Sequence, residues 1–400
     1  MSNIVVIGAG QAGSSLVAKL RADGFDGSIT LIGDEPAPPY QRPPLSKAYL
    51  LGEMPRDRLF LRPEVFYAER DIDLRTGVAV TAIDPAAKTV TLGNKLLGYD
   101  ELALCTGSLP RRLPDAIGGA LEGLYYVRTL ADVDAMEPEF REGRRVLIVG
   151  GGYIGLEAAA VAAKQGLQVT LIEMAERILQ RVAAPETSDY FRTLHARHGV
   201  DIREGIGLAR LTGETRVTGA ELTDGSVIEA DFVIAGTGIL PDTRLAEAAG
   251  LDCVNGIAVD HHGRTSVAGV WAAGDCASFP HGAGRLRLES VPNAIDMAEC
   301  VAANLMGAGK TYVPEPWFWS DQYDVKLQIA GLNHGFTRVV VREAEGAQSH
   351  WYYRDDQLIA VDAMNDPRGF MVGKRLLSMG KSPAPEALAD PATELKSLMR

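Results

Sequence analysis

The chain predicts an α/β protein with two parallel-sheet domains of the same plan and a smaller α+β domain at the C-terminus. Three observations carry this prediction. NIVVIGAGQAGSSLVAKLRADGFDGSITLIGDE reads as strand, glycine turn, helix and strand. RRVLIVGGGYIGLEAAAVAAKQGLQVTLIE repeats the plan further along the chain. After about residue 314 the composition changes at PEPWFWSDQ, and WYYRDDQLIAVDAM alternates as two half-buried strands around a turn at Asp355-Asp356.

In the first unit an apolar strand meets Gly8-x-Gly10-x-x-Gly13, then a helix carrying Leu16, Val17 and Leu20, and the next strand ends at Asp34 and Glu35. Glycines at this spacing permit the tight turn, the approach of backbone to a pyrophosphate and close helix–strand packing, while the helix N-terminus carries partial positive charge. The unit is a dinucleotide site. Its repeat has Gly150, Gly152 and Gly155, with Ile154 between them, and closes on Glu173, so a second nucleotide site is encoded.

Between the repeats, RPPLSK (Arg42 to Lys47) places a rigid proline pair at the start of a helix. LALCTG ends a strand in a turn at Thr106 and Gly107. Around Asp224-Gly225 the alternation of ELTDGSVIEADFVIAGTGILPDT signals a hairpin, followed by a buried strand ending at Gly236. The strand in VWAAGDCASF ends at Gly274 and then offers the Asp275 carboxylate to a ligand's hydroxyls. Pro383, Pro385 and Pro391 punctuate a tail expected to wrap the surface or hang loose.

Composition narrows the function classes. A chain of 400 residues with 46% hydrophobic and 23% charged content is globular and too long for one core. Its 40 basic against 52 acidic residues, net -12, argue against nucleic-acid binding. Apolar runs fall short of the roughly 20 residues a bilayer requires, so no membrane span is expected and the expected location is the cytoplasm. Cys105, Cys253, Cys276 and Cys300 form no CxxC or CxxxxC pair. Neither a metal cage nor a redox dithiol is expected, and buried filler is the reading of each.

Taken in order, GAGQAG, RPPLSK, CTGSLPR, VRTL, GGGYIGLE, GTGILPD, AAGDCA, ESVPNA and PWFWSDQ resemble, nearly end to end, the FAD-dependent ferredoxin reductases. The likeness is to those of the putidaredoxin-reductase type, which serve cytochrome P-450 monooxygenases, and next to reductase components of aromatic-ring dioxygenases. It implies a glutathione-reductase-like fold: an FAD domain over 1–112 and 243–314, an NAD domain over 113–242, and a C-terminal domain over 315–400 that covers the flavin and helps dock a partner.

The resemblance assigns FAD to the first fingerprint and NADH to the second. FAD contacts are then expected at Gly8, Gly10, Ala12, Gly13, Asp34, Glu35, Arg42, Lys47, Val80, Thr106, Gly107, Arg128, Asp275, Val291 and Trp319. Nicotinamide-nucleotide contacts are expected at Gly150, Gly152, Ile154, Gly155, Glu173 and Gly238. For Val80 and Val291 core packing is the competing reading, and for Arg128 an ordinary ion pair. In similar enzymes a Lys and a Glu pair beside the flavin, which assigns that catalytic role to Lys47 and Glu157; the competing reading has Lys47 solvated and Glu157 favouring a helix N-terminus.

The implied activity is hydride transfer from NADH to FAD, then single-electron release to a 2Fe-2S ferredoxin and onward to an oxygenase. The reductase component of an aromatic-ring dioxygenase, rubredoxin reductase, a stand-alone NADH oxidase and, outside turnover chemistry, an apoptosis-inducing-factor-like redox-controlled binding protein are the alternatives. Some relatives are basic where Glu299 stands, so partner identity does not transfer. Arg62, Arg285, Arg287, Lys326, Arg368, Lys374 and Arg375 are the basic residues available for a docking face, expected to receive an acidic ferredoxin with Trp317 or Trp319 beside it.

Overall fold

A strand of Ile and Val that is buried on both faces belongs in a parallel sheet covered by helices, and both fingerprint strands are of this kind. The computed structural model describes residues 2–399 as two compact units. The first comprises 1–41, 56–109 and 239–316; the second comprises 42–55, 110–238 and 317–400.

In the first unit Asn3–Ile7 lies at the centre of a five-stranded sheet. Ser28–Ile32 and Ile72–Arg75 follow on one side, and Glu101–Leu104 and Val270–Ala272 on the other. All of these pairings are parallel. The chain reverses its direction of travel across the sheet between Asn3–Ile7 and Glu101–Leu104, and such a switch point opens a crevice at the carboxyl ends of the strands. Helices Gln11–Ala22 and Val291–Leu305 pack together on this sheet, with Val5, Val6, Leu16, Leu20, Leu102 and Ala272 fully buried.

The second unit repeats the plan about Arg145–Val149, with Gln168–Glu173 and Asp201–Glu204 on one side and Phe232–Ala235 and Leu124–Tyr125 on the other. The expected hairpin is present as Gly219–Leu222 paired antiparallel with Val227–Glu229. Residues 317–364 form a five-stranded antiparallel sheet in the order Trp317–Gln322, Val325–Gly331, Gln357–Met364, Ala347–Arg354 and Arg338–Ala344. The turn at Asp355-Asp356 joins two of these strands, and helix Pro367–Ser378 packs on the sheet.

The tail is anchored. Arg342, 8% exposed, donates to the carbonyls of Leu388, Asp390, Pro391 and Thr393, while Leu388 and Leu395 are buried against the C-terminal core. One arginine thus gathers four backbone acceptors of the tail.

Segment 42–55 groups with the second unit because its polar atoms are met there. Arg42 donates to the Arg128 carbonyl at 2.6 Å, Tyr49 to Asp134 at 2.6 Å, and Gln165 to the Leu50 carbonyl at 3.3 Å. Among the described residues, no helix is long and apolar enough to cross a membrane, and no cluster of His, Cys, Asp and Glu could hold a metal ion.

Candidate functional site

Each fingerprint builds a cradle from backbone. Gly8 and Gly150 take φ of +106° and +111°, which side chains rarely adopt. A Cβ on Gly8 would meet the Cys105 carbonyl oxygen at 2.1 Å, and one on Gly150 the Gly236 oxygen at 2.4 Å. A Cβ on Gly13 or Gly155 would meet the oxygen of Gly8 or Gly150 at 2.0 Å, so these glycines let helix and strand close together. Gly10 and Gly152 differ, since a Cβ there meets nothing within 4 Å. They cap helices Gln11–Ala22 and Tyr153–Lys164 without a side-chain bond to the helix N–H groups, leaving donors and open space for a pyrophosphate. The residues present therefore fit a dinucleotide in both units.

In the first unit the structure brings several predicted residues to one end of the sheet. A Cβ on Gly274 would lie 2.9 Å from that of Ala12, and Ser108 donates to Asp275 at 3.0 Å. Thr106 donates to the Asp242 carbonyl at 2.6 Å, and Gly107 accepts from the Asp242 N–H at 2.9 Å. Val291, half-buried, opens its helix directly after the cap Ser290. Asp34 and Glu35 follow the second strand, and Glu35 accepts from Tyr40 at 2.5 Å. Val80 starts Val80–Asp84, a strand of the separate sheet that also holds Thr89–Leu92 and Lys95–Gly98, and is half-buried.

In the second unit Glu173 is held by two backbone donors, Gly151 N–H at 2.7 Å and Ala175 N–H at 2.8 Å. Arg177 is turned to Ser188 and the Ala183 carbonyl. Gly238 takes φ of +94°, and its carbonyl accepts from the Arg111 N–H. Ile154 is 41% exposed on the first turn of its helix.

The one predicted charged pair is formed. Lys47 Nζ stands 2.8 Å from Glu157 Oε1, with side-chain exposures of 16% and 5%. The proline pair sets this up: Pro43–Ser46 is one 3-10 turn, which aims Ser46 and Lys47 at helix Tyr153–Lys164. Ser46 donates to Glu157 Oε2 and Ser320 to Oε1, each at 2.6 Å. Ser46 and Ser320 stand inside RPPLSK and PWFWSDQ but are not among the predicted site residues; the alternation of WFWSDQ, which buries Ser320 and Gln322 on one face, is the signal that locates Ser320.

Trp319 is half-buried, its ring 5.5 Å from Trp317, over which Lys374 lies at 5.2 Å. Of the basic set, Arg285 and Arg287 are committed within the first unit. Arg285 donates to the Val259 and Ser278 carbonyls, and Arg287 to the Asp275 carbonyl and Glu289. All four cysteines are free thiols, and burial pushes Cys105 and Cys276 upward from the ordinary thiol range, so neither is a ready nucleophile.

The family model described as pyridine nucleotide-disulphide oxidoreductase matches residues 2–298, and that described as reductase C-terminal matches 317–399. A ferredoxin–NAD(P)+ reductase of Sphingomonas sp is 44% identical over 99% of this chain and 97% of its own. Putidaredoxin reductase of Pseudomonas putida is 40% identical over 99% of this chain and 96% of its own. The crystal structure of the covalent putidaredoxin reductase–putidaredoxin complex superposes with a TM-score of 0.96 at 40% identity, covering 100% of this chain and 98% of that one. The chain belongs to the pyridine nucleotide-disulphide oxidoreductase family and, within it, to the ferredoxin reductases.

Proposed function

We propose that this enzyme takes hydride from NADH onto FAD and passes the electrons one at a time to a 2Fe-2S ferredoxin that feeds a cytochrome P-450 monooxygenase, in the cytoplasm. The observation carrying the mechanism is the buried Lys47–Glu157 pair in a chain with two nucleotide cradles. Bound FAD supplies the conversion between a two-electron donor and a one-electron acceptor.

Gly8, Gly10, Gly13 and Asp275 hold FAD within 1–112 and 243–314. Gly150, Gly152, Gly155 and Glu173 hold the nicotinamide nucleotide within 113–242, and 315–400 forms the C-terminal domain with Trp319. Lys47 offers a fixed cation to the negative charge that hydride delivery leaves behind. Such a cation contributes on the order of 4 kcal/mol at about 4 Å and an effective dielectric near 20. Glu157 keeps the ammonium aimed, and Ser46 keeps Glu157 in place.

Docking follows from charge. A net charge of -12 repels an acidic ferredoxin at long range, so productive encounter requires a local basic patch. Turnover with a 2Fe-2S ferredoxin from the source organism should weaken as salt shortens the Debye length from about 10 Å at 0.1 M to about 3 Å at 1 M, whereas ferricyanide reduction barely changes. No turnover with any such ferredoxin, or rates that climb steadily with salt, would refute this reading.

A further inference from the structure

Glu157 is 4% exposed, and a buried carboxylate needs its lone pairs met. Lys47 and Ser46 meet part of this need; Ser320 begins something longer. Gln322 Nε2 lies 3.2 Å from Ser320 Oγ, Gln322 Oε1 2.8 Å from His195 Nε2, and His195 Nδ1 3.1 Å from the Tyr323 hydroxyl. Ser320, Gln322 and His195 are all fully buried.

The chemistry of each group sets the direction of the chain. A carboxylate paired with an ammonium only accepts, so Ser320 spends its one proton on Glu157. The Ser320 oxygen then accepts from the amide nitrogen of Gln322, and the amide oxygen must accept from His195 Nε2–H. That leaves His195 Nδ1 to accept from Tyr323. Every donor points toward Glu157. Burial pulls the His195 pKa down to about 4, which keeps the ring neutral, as this arrangement requires, since an imidazolium has no acceptor to offer Tyr323.

A second, independent observation lies at the outer end. Tyr323 occupies the two-residue turn between Trp317–Gln322 and Val325–Gly331 with φ of +55°, where glycine or asparagine is the usual occupant. A bulky residue in the left-handed region persists only where its surroundings hold it. Here the ring stacks on His198 with centroids 3.6 Å apart and planes 10° apart, and the hydroxyl faces His195.

We infer that Tyr323, His195, Gln322 and Ser320 are positioning residues, an aligned chain of hydrogen bonds that fixes the Glu157 carboxylate and through it Lys47. Aligned hydrogen bonds polarise one another, so a remote link is felt at the carboxylate. The chain orients and does not conduct protons, because an amide in the middle cannot hand a proton on without tautomerising. This inference rests on the Lys47–Glu157 reading for its kinetic consequence but not for its chemistry.

The test begins with the imidazole nitrogen-15 spectrum of the holoenzyme, assigned with His195→Gln. The neutral Nε2–H tautomer is expected for His195 from pH 5 to 8. The Nδ1–H tautomer would reverse the amide, turn Ser320 away from Glu157 and overturn the inference. Next, Gln322→Leu should slow the limiting rate of flavin reduction by NADH about tenfold and Tyr323→Phe about threefold, each with NADH affinity unchanged. Ser320→Thr, which keeps the hydroxyl, should restore what Ser320→Ala loses. Wild-type limiting rates in Gln322→Leu and Tyr323→Phe would overturn the positioning role. If the tautomer is as expected but Lys47→Ala reduces flavin at the wild-type rate, the Lys47–Glu157 reading fails while the chain of hydrogen bonds stands.

Discussion

Lys47 and Glu157 meet at 2.8 Å although one caps the 3-10 turn Pro43–Ser46 and the other lies on helix Tyr153–Lys164, just past the second fingerprint's glycines. Both are largely buried, so the pair is weakly screened and removing one charge leaves the other uncompensated. Lys47→Ala is expected to slow the reductive half-reaction more than tenfold while FAD stays bound, read by stopped-flow bleaching with NADH. A wild-type rate would return Lys47 to an ordinary structural ion pair.

The glycine cradle separates folding from cofactor binding. Gly13→Ala drives a Cβ into the Gly8 carbonyl, so the first unit should lose stability along with FAD. Gly10→Val meets no protein atom within 4 Å at its Cβ and should leave circular dichroism and melting of the apoprotein unchanged, yet abolish the yellow colour. Extraction of the wild-type chromophore should yield FAD. A Gly10→Val protein that retains full FAD would remove the pyrophosphate from this cradle.

Nucleotide preference follows from Glu173. Its carboxylate is fixed by two N–H donors at the end of Gln168–Glu173, while Arg177 is occupied elsewhere. Ribose hydroxyls can donate to a carboxylate, and a 2′-phosphate is repelled by it. NADH should be preferred over NADPH in kcat/KM by about 10-fold to 100-fold or more, and Glu173→Ala should collapse the ratio. Equal kcat/KM for the two nucleotides, or an unchanged ratio in the variant, would contradict this.

Asp362 sits fully buried in the C-terminal sheet, accepting from Thr187 at 2.8 Å and from Tyr352, with Oδ1 lacking a protein partner. Burial raises its pKa to about 6, against the pull of the Tyr352 and Thr187 hydrogen bonds. Between the ordinary carboxyl value near 3.8 and about 6 the folded protein holds a proton that the unfolded chain has lost, so this group's contribution to stability falls as pH rises through that window. Nearby His350, held near 4 by burial, stays neutral over most of the window. Asp362→Asn cannot titrate. Its melting temperature relative to wild type should therefore rise between pH 4 and pH 7, with a full effect on the order of 3 kcal/mol. A constant difference across that range would show that Asp362 does not titrate there.

What the sequence determined by itself was everything with local periodicity: the two fingerprints, the Asp224-Gly225 hairpin, the turn at Asp355-Asp356 and the family. Strand, turn and helix requirements act over a few residues, so glycine spacing and apolar alternation expose them directly. Lys47 and Glu157 were named through likeness to a family, and their meeting was decided only when the segment 42–55 folded against helix Tyr153–Lys164. Ser46, Ser320, Gln322 and His195 owe their roles to the tertiary fold, because a buried polar side chain is chosen by the partner opposite it and not by its neighbours in sequence. The tail shows the same division. Its prolines suggest a loose wrap, yet four carbonyls converging on Arg342 hold it down, an arrangement that exists only once strand and tail have come together.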